Sequence, residues 1–172
     1  VPADGVETEK ALQAIVDYQG PVYLRLGRPA VPVLYDDSYS FEIGEASVLR
    51  TGEDVSIIAA GIMVSKALEA AELLAEEGIQ AEVINMATIK PLDEKTILQS
   101  VRKTKRVVTA EEHSIIGGLG SAVAELVSEH HPVPVRRVGL RDVFGESGSP
   151  AELLEKYGLT PGGIIEAVRK VL

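Results

Sequence analysis

The residues best able to do chemistry gather in one run, Thr109-Ala110-Glu111-Glu112-His113, followed closely by Gly117-Gly118-Leu119-Gly120-Ser121. A glycine-rich turn that opens a helix can present backbone N–H groups to an anion. The spacing is not G-x-G-x-x-G, because Val123 stands where the third glycine would fall, and no lysine follows as a phosphate-binding loop requires. Close strand–helix packing and a turn with φ > 0 account for the glycines more simply; an anionic effector on Gly117–Ser121 is the alternative. Glu111 and Glu112 are adjacent, so on a strand they point to opposite faces and do not form a paired-carboxylate site. His113 is a candidate acid/base or a hydrogen-bonded structural residue. His130 and His131 end a helix, where a cation suits the macrodipole; adjacent histidines on a helix do not converge on one metal. Ser147 lies in Gly145-Glu146-Ser147-Gly148-Ser149, a loop without the G-x-S-x-G elbow of a serine nucleophile. Arg28 follows an apolar run and sits between Gly27 and Pro29, an exposed guanidinium on a stiff turn that suits a phosphate, a carboxylate or a surface ion pair.

The elements that must position these residues follow from periodicity. Asp4 to Tyr18 reads as a helix with Asp4 as N-cap and Glu7 completing a capping box, with Ala11, Leu12, Ile15 and Val16 on one face. Val22–Leu26 reads as a strand, mostly apolar and so mostly buried. Ala30 to Ser40, with its prolines and aspartates, reads as a linker. From Phe41 strands and helices alternate. Glu45–Arg50 is an expected edge strand. Strands follow at Val55–Ala60, Ala81–Met86, Arg106–Ala110 and Val133–Leu140. Helices are expected at Met63–Glu77, from Asp93 as N-cap to Lys103, at Leu119–Glu129, Pro150–Tyr157 and Pro161–Leu172. The helix from Met63 carries an apolar stripe of Val64, Ala67, Leu68, Ala71, Leu74 and Ala75 and stops at Gly78. This alternation predicts an α/β fold: a three-layer sandwich around a mostly parallel sheet, with one antiparallel edge strand.

Composition narrows the function classes. The 172 residues carry 26 acidic and 17 basic side chains, a net charge of −9, with no basic stripe. Nucleic acid and anionic membranes are therefore poor partners. Hydrophobic residues make up 45%, ample for a core. No apolar run approaches the roughly 20 residues of a membrane span, and a cytoplasmic location is the default expectation. The absence of cysteine excludes disulfides, thiolate chemistry and cysteine-ligated zinc. Val1-Pro2-Ala3-Asp4 reads as a loop leaving a strand, so the chain is expected to be the C-terminal portion of something larger.

Five segments, in order along essentially the whole chain, resemble transketolases: Pro2–Thr8, Gly20–Pro29, Gly52–Gly61, Val83–Asp93 and Glu111–Val123. The chain is most similar to the C-terminal section of a split transketolase, in which two polypeptides make the enzyme. The resemblance implies that residues 1–40 are the tail of the pyrimidine-binding domain and a linker, and that 41–172 form the C-terminal domain, which serves subunit association. It implies transfer of a two-carbon ketol unit between sugar phosphates, using thiamine diphosphate and a divalent metal, magnesium or calcium, in the intact enzyme. The cofactor would carry the difficult step by stabilising a carbanion. Neither group is expected in this piece, which lacks the Gly-Asp-Gly metal motif; the activating glutamate would lie upstream, and the piece alone would be inactive. The implied partner is an N-terminal transketolase subunit or domain, within a homodimer or higher oligomer. Arg28 matches the arginine that grips the substrate phosphate, with Arg25 the competing candidate. The β-subunit of 2-oxoacid dehydrogenases and 1-deoxy-xylulose-5-phosphate synthase share this domain; a stand-alone association or effector-binding module is the reading from another class.

Overall fold

A computed structural model describes residues 1–172. The first helix, α1 (Gly5–Val16), begins where Asp4 accepts a hydrogen bond from the Glu7 N–H at 2.7 Å. The expected capping box is only half formed. The Glu7 side chain accepts from the Ala3 N–H at 2.6 Å instead of from Asp4. It does so because Glu7 is fully buried and committed to a wider network.

A five-stranded sheet forms the centre of the chain from Ser47 onward: β1 (Ser47–Arg50), β2 (Val55–Ala59), β3 (Ala81–Asn85), β4 (Val107–Ser114) and β5 (Val135–Leu140). Its spatial order is β1-β3-β2-β4-β5, parallel except for the β1–β3 pair. The antiparallel edge strand is thus where the sequence places it. All five residues of β2 are buried, as a central parallel strand covered on both faces requires.

Alternation along β2 assigns the two faces. Ile57 packs with α2 (Met63–Glu76) and with α6 (Pro161–Arg169), through Val64, Leu74, Ile164 and Val168. Ile58 packs on the opposite side with α3 (Glu94–Thr104) and α4 (Leu119–His130), through Ile97, Val101, Leu119 and Val123. The result is the expected three-layer sandwich. A short helix α5 (Pro150–Lys156), opened by a Ser149/Glu152 capping box, precedes α6.

Beneath α3 the contact with the sheet is partly polar. Ser56 of β2 hydrogen-bonds Ser100 (2.5 Å) and Thr104 (2.6 Å), and the carboxylate of Glu82, in β3, takes Ser100 and Lys103. Every member of this seam has a partner, which buried hydroxyls and carboxylates require.

One expectation fails. Val22–Leu26 forms no strand: Tyr23 is 87% and Leu26 53% exposed. The apolar pattern marks a segment suited to a sheet, but a strand needs a neighbour to pair its N–H and C=O groups, and no strand of this chain lies beside it. Smaller differences are the extension of β4 to Ser114, which brings Glu111, Glu112 and His113 into the strand, and the late start of β5 at Val135.

The stretch expected to be a linker is tied down. The Asp4 carboxylate accepts from the Leu34 N–H (2.6 Å) and the Tyr35 N–H (2.9 Å). The rings of Tyr35 and Tyr39 stack with centroids 3.8 Å apart. The Tyr39 hydroxyl donates to Glu7 Oε1 at 2.6 Å, and Asn85 Nδ2, at the end of β3, reaches both Glu7 oxygens at 2.8 and 2.9 Å. Burial, then the bond to Glu7, pushes the Tyr39 phenol well above the usual tyrosine range. It therefore remains a neutral donor at physiological pH.

Asp93 makes the equivalent tie at the sheet's antiparallel edge. Its Oδ1 accepts from the Thr96 N–H (2.9 Å), capping α3, and its Oδ2 accepts from the Ala46 N–H (2.9 Å). Burial alone would raise the carboxyl pKa; the hydrogen bonds from Thr96 and Ala46, aided by Lys95, outweigh it and hold it below the usual range. A pKa lowered by folding adds stability that is present above the unfolded value of about 3.9 and is lost as pH falls through the folded value. Asp93→Ala should therefore lower stability by about 1–2 kcal/mol at pH 7. The deficit should shrink as pH drops below about 4. Urea midpoints of both proteins at pH 7 and pH 3.5 would check this.

Candidate functional site

In open α/β sheets, ligands are taken at the carboxyl ends of strands where the strand order reverses. Here the chain leaves β2 for β3 on one side and returns to β4 on the other, so the reversal falls between β2 and β4. A cleft of about 450 Å³ opens there, walled by Ala60, Glu111–His113 and the Gly117–Leu119 turn on the sheet side. Tyr18 and Pro21–Arg25 of the N-terminal segment close it from the other side. A second cleft of about 420 Å³ adjoins it, lined by Leu26, Gly27 and Pro29; Arg25 and Glu112 line both.

The glycine-rich turn at this mouth already commits donors within the chain. Glu111 is buried, at 4% exposure, and its two carboxylate oxygens accept from the N–H groups of Leu119 and Gly120, each at 2.7 Å. The chain thus supplies its own anion to the N-terminus of α4, where the helix dipole favours negative charge. Gly118 has a separate reason to be glycine: a Cβ there would collide with Glu111 Oε2. These contacts account for Gly118 and for two donors of the turn, and they leave an effector at Gly117–Ser121 without Leu119 and Gly120 as donors.

Glu112 points away from Glu111, as adjacent strand residues must, and is half-buried. Its carbonyl oxygen accepts from Arg25 Nη2 at 2.5 Å, and its Oε2 lies 3.5 Å from the same nitrogen. Arg25 and Arg28 are thereby distinguished. Arg25 is half-buried and committed to Glu112, whereas Arg28 is exposed, forms no hydrogen bond or ion pair within this chain, and lines neither cleft.

The remaining candidates stay apart. His113 lines the first cleft but is exposed, with its Nδ1 3.1 Å from the carbonyl of Ser114. His130 ends α4 and His131 is its C-cap. Ser147 lies in an exposed stretch, residues 141–150. No group of three or more His, Asp or Glu side chains is arranged to hold a metal ion.

The set that sequence reasoning missed is the buried group of Glu7, Asn85, Tyr35 and Tyr39. One signal was available: Glu7 lies four residues before Ala11, on the same helical stripe, and an acid on an apolar stripe requires partners. Nothing in the sequence named those partners, because Asn85 lies 78 residues away from Glu7.

The architecture has known counterparts. Residues 44–164 match the family model of the transketolase C-terminal domain, and the chain belongs to that family. It is 52% identical over 171 residues to a subunit of the 6-deoxy-6-sulfo-D-fructose transketolase of Clostridium sp. (strain MSTE9), covering 99% of this chain and 53% of the relative. It is 44% identical over 175 residues to a subunit of the apulose-4-phosphate transketolase of Phocaeicola vulgatus, covering 99% of this chain and 56% of that one. A solved split-gene transketolase, described as an inactive β4 tetramer, superposes with a TM-score of 0.97 at 53% identity, over 99% of this chain and 56% of its own. The chain spans about half the length of the curated relatives it matches. No helix is long and apolar enough to cross a membrane.

The Glu111 clamp can be tested directly. Glu111→Ala would leave the N–H groups of Leu119 and Gly120 buried without acceptors and should lower stability by about 2–3 kcal/mol. Chemical denaturation of the two proteins would measure this, and a loss below about 0.5 kcal/mol would show that the clamp contributes little.

Proposed function

We propose that this chain is the C-terminal part of a thiamine-diphosphate-dependent transketolase that moves a two-carbon ketol unit between sugar phosphates. In this reading residues 1–40 are the tail of the pyrimidine-binding domain with its linker, and residues 41–172 are the C-terminal domain that supports assembly. The observation that carries it is similarity over 99% of the chain to subunits of transketolases. The family match beginning at residue 44 supports the division near Phe41. Homo-oligomerisation is part of the proposal, supported by the tetrameric description of the similar solved protein. So are a cytoplasmic location and a partner that supplies the rest of the enzyme.

The residues here do not fit the cofactor. Of the carboxylates at the sheet's carboxyl end, Glu111 is engaged by α4 and Glu112 Oε2 lies 3.5 Å from Arg25 Nη2, and no acidic or histidine cluster could seat the metal that binds a diphosphate. In this reading the thiamine site belongs to the rest of the enzyme. This chain's contribution to substrate is Arg28. It is exposed, free of partners within the chain, and followed by a proline whose fixed φ stiffens the turn. A guanidinium so presented binds a phosphate through parallel N–H donors.

Two measurements test this. The purified 172-residue chain should show neither ketol transfer in a coupled assay nor thiamine diphosphate binding by calorimetry; turnover by it would reject the division of labour. In the assembled enzyme, Arg28→Ala should raise KM for phosphorylated sugars by about 10–100-fold and far less for unphosphorylated ones. Equal effects on both would reject the phosphate role.

A further inference from the structure

Between Gly20 and Val33, every hydrogen bond to the rest of the chain leaves from Arg25. The acceptor is held firmly. Glu112 lies on β4, flanked by Glu111, whose carboxylate is fixed by Leu119 and Gly120, and the strand's end is secured where the Ile115 N–H donates to the Leu140 carbonyl at 3.0 Å. Arg25 and Glu112 together line both clefts at the mouth of the sheet. Three residues further along stands Arg28, and three residues span at most about 11 Å. Only Leu26 and Gly27 separate the two arginines, and Pro29 restrains the far side of the turn. Hydrogen bonding thus ties the Arg28 turn to the sheet, within this chain, through one side chain's grip on a strand carbonyl.

We propose that Arg25 is a positioning residue: anchored on Glu112, it holds the Gly27-Arg28-Pro29 turn where the Arg28 guanidinium meets the substrate phosphate. The C-terminal sheet then serves substrate binding as well as assembly, through the carboxyl end of β4. This rests on the reading of Arg28 as the phosphate ligand. A guanidinium displaced by even about 1 Å loses much of what an oriented bidentate contact provides.

The test uses the full-length chain assembled with its thiamine-binding partner, comparing Arg25→Met, Arg25→Lys, Arg28→Ala and the double variant Arg25→Met/Arg28→Ala. KM and kcat are measured for a phosphorylated ketose and for an unphosphorylated one. Arg25→Met should raise KM for the phosphorylated ketose by about 5–20-fold, several-fold more than for the unphosphorylated one. Arg25→Lys should recover part of this, since an ammonium can still donate to the Glu112 carbonyl. In the Arg28→Ala background the Arg25→Met penalty should disappear, because the group it positions is gone. Survival of the full penalty in that background would overturn the proposal, as would equal KM increases for both ketoses. If Arg28→Ala alone shows no preference for the phosphorylated ketose, the reading of Arg28 fails and the proposal falls with it. Melting temperature and gel filtration of each variant separate these outcomes from loss of folding or assembly.

Discussion

A buried carboxylate must be given donors or the chain will not bury it, and Glu7 obtains its donors from three parts of the molecule. Ala3 supplies a backbone N–H from the segment ahead of α1, Tyr39 a hydroxyl from the stretch ahead of the sheet, and Asn85 an amide from the end of β3. None of the three is near another in sequence. The N-terminal helix, the connecting stretch and the sheet are thereby joined at a point closed off from bulk solvent. Asp4, one turn earlier, reinforces the arrangement by taking the N–H groups of Leu34 and Tyr35. The approach of Arg25 to Glu112 follows from this docking, because the segment bearing Arg25 continues from a helix that Glu7 has already fixed.

The mouth of the sheet shows how a fold that binds ligands elsewhere can be turned to structural ends. The switch point between β2 and β4 has the shape of a binding site, and the turn above it has the glycines. A side chain of the same domain occupies two of the donors. Two neighbouring glutamates hold different parts of the chain. The Glu111 carboxylate turns inward and fixes α4, and the backbone carbonyl of Glu112 takes Arg25 of the N-terminal segment. Adjacent residues on a strand could not both serve one ligand, but they can couple a helix on one side to a chain segment on the other.

The sequence made the sheet legible because its strands are continuous apolar runs and its helices carry stripes and stops. Val55–Ala59 could only be a strand buried on both faces, and Gly78, with a φ of 82°, ends the turn after α2 where a side chain would be strained. The edge character of Ser47–Arg50 could be read from its mixed pattern. What could not be read was polar and long-range. The pairing of Glu7 with Asn85, and of Ser56 with Ser100 and Thr104 beneath α3, joins residues 44 to 78 positions apart, and no local period encodes such pairing. Val22–Leu26 shows the converse limit. Its composition describes what the segment is suited to pair with, and burial depends on whether that neighbour is in the same chain. The exposure of Arg28 was legible from its turn; that Arg25 is engaged with Glu112 was visible only in three dimensions.

The stacked tyrosines have an optical consequence. The chain has no tryptophan and five tyrosines, and Tyr18, Tyr23, Tyr35 and Tyr39 all precede the sheet, leaving Tyr157 alone beyond it. Near-ultraviolet absorbance, circular dichroism and intrinsic fluorescence therefore report mainly on the N-terminal segment and its junction, while the sheet is almost silent in that range. An unfolding curve followed at these wavelengths would trace the release of the Tyr35–Tyr39 pair from Glu7. Backbone dichroism in the far ultraviolet would trace the helices and the sheet.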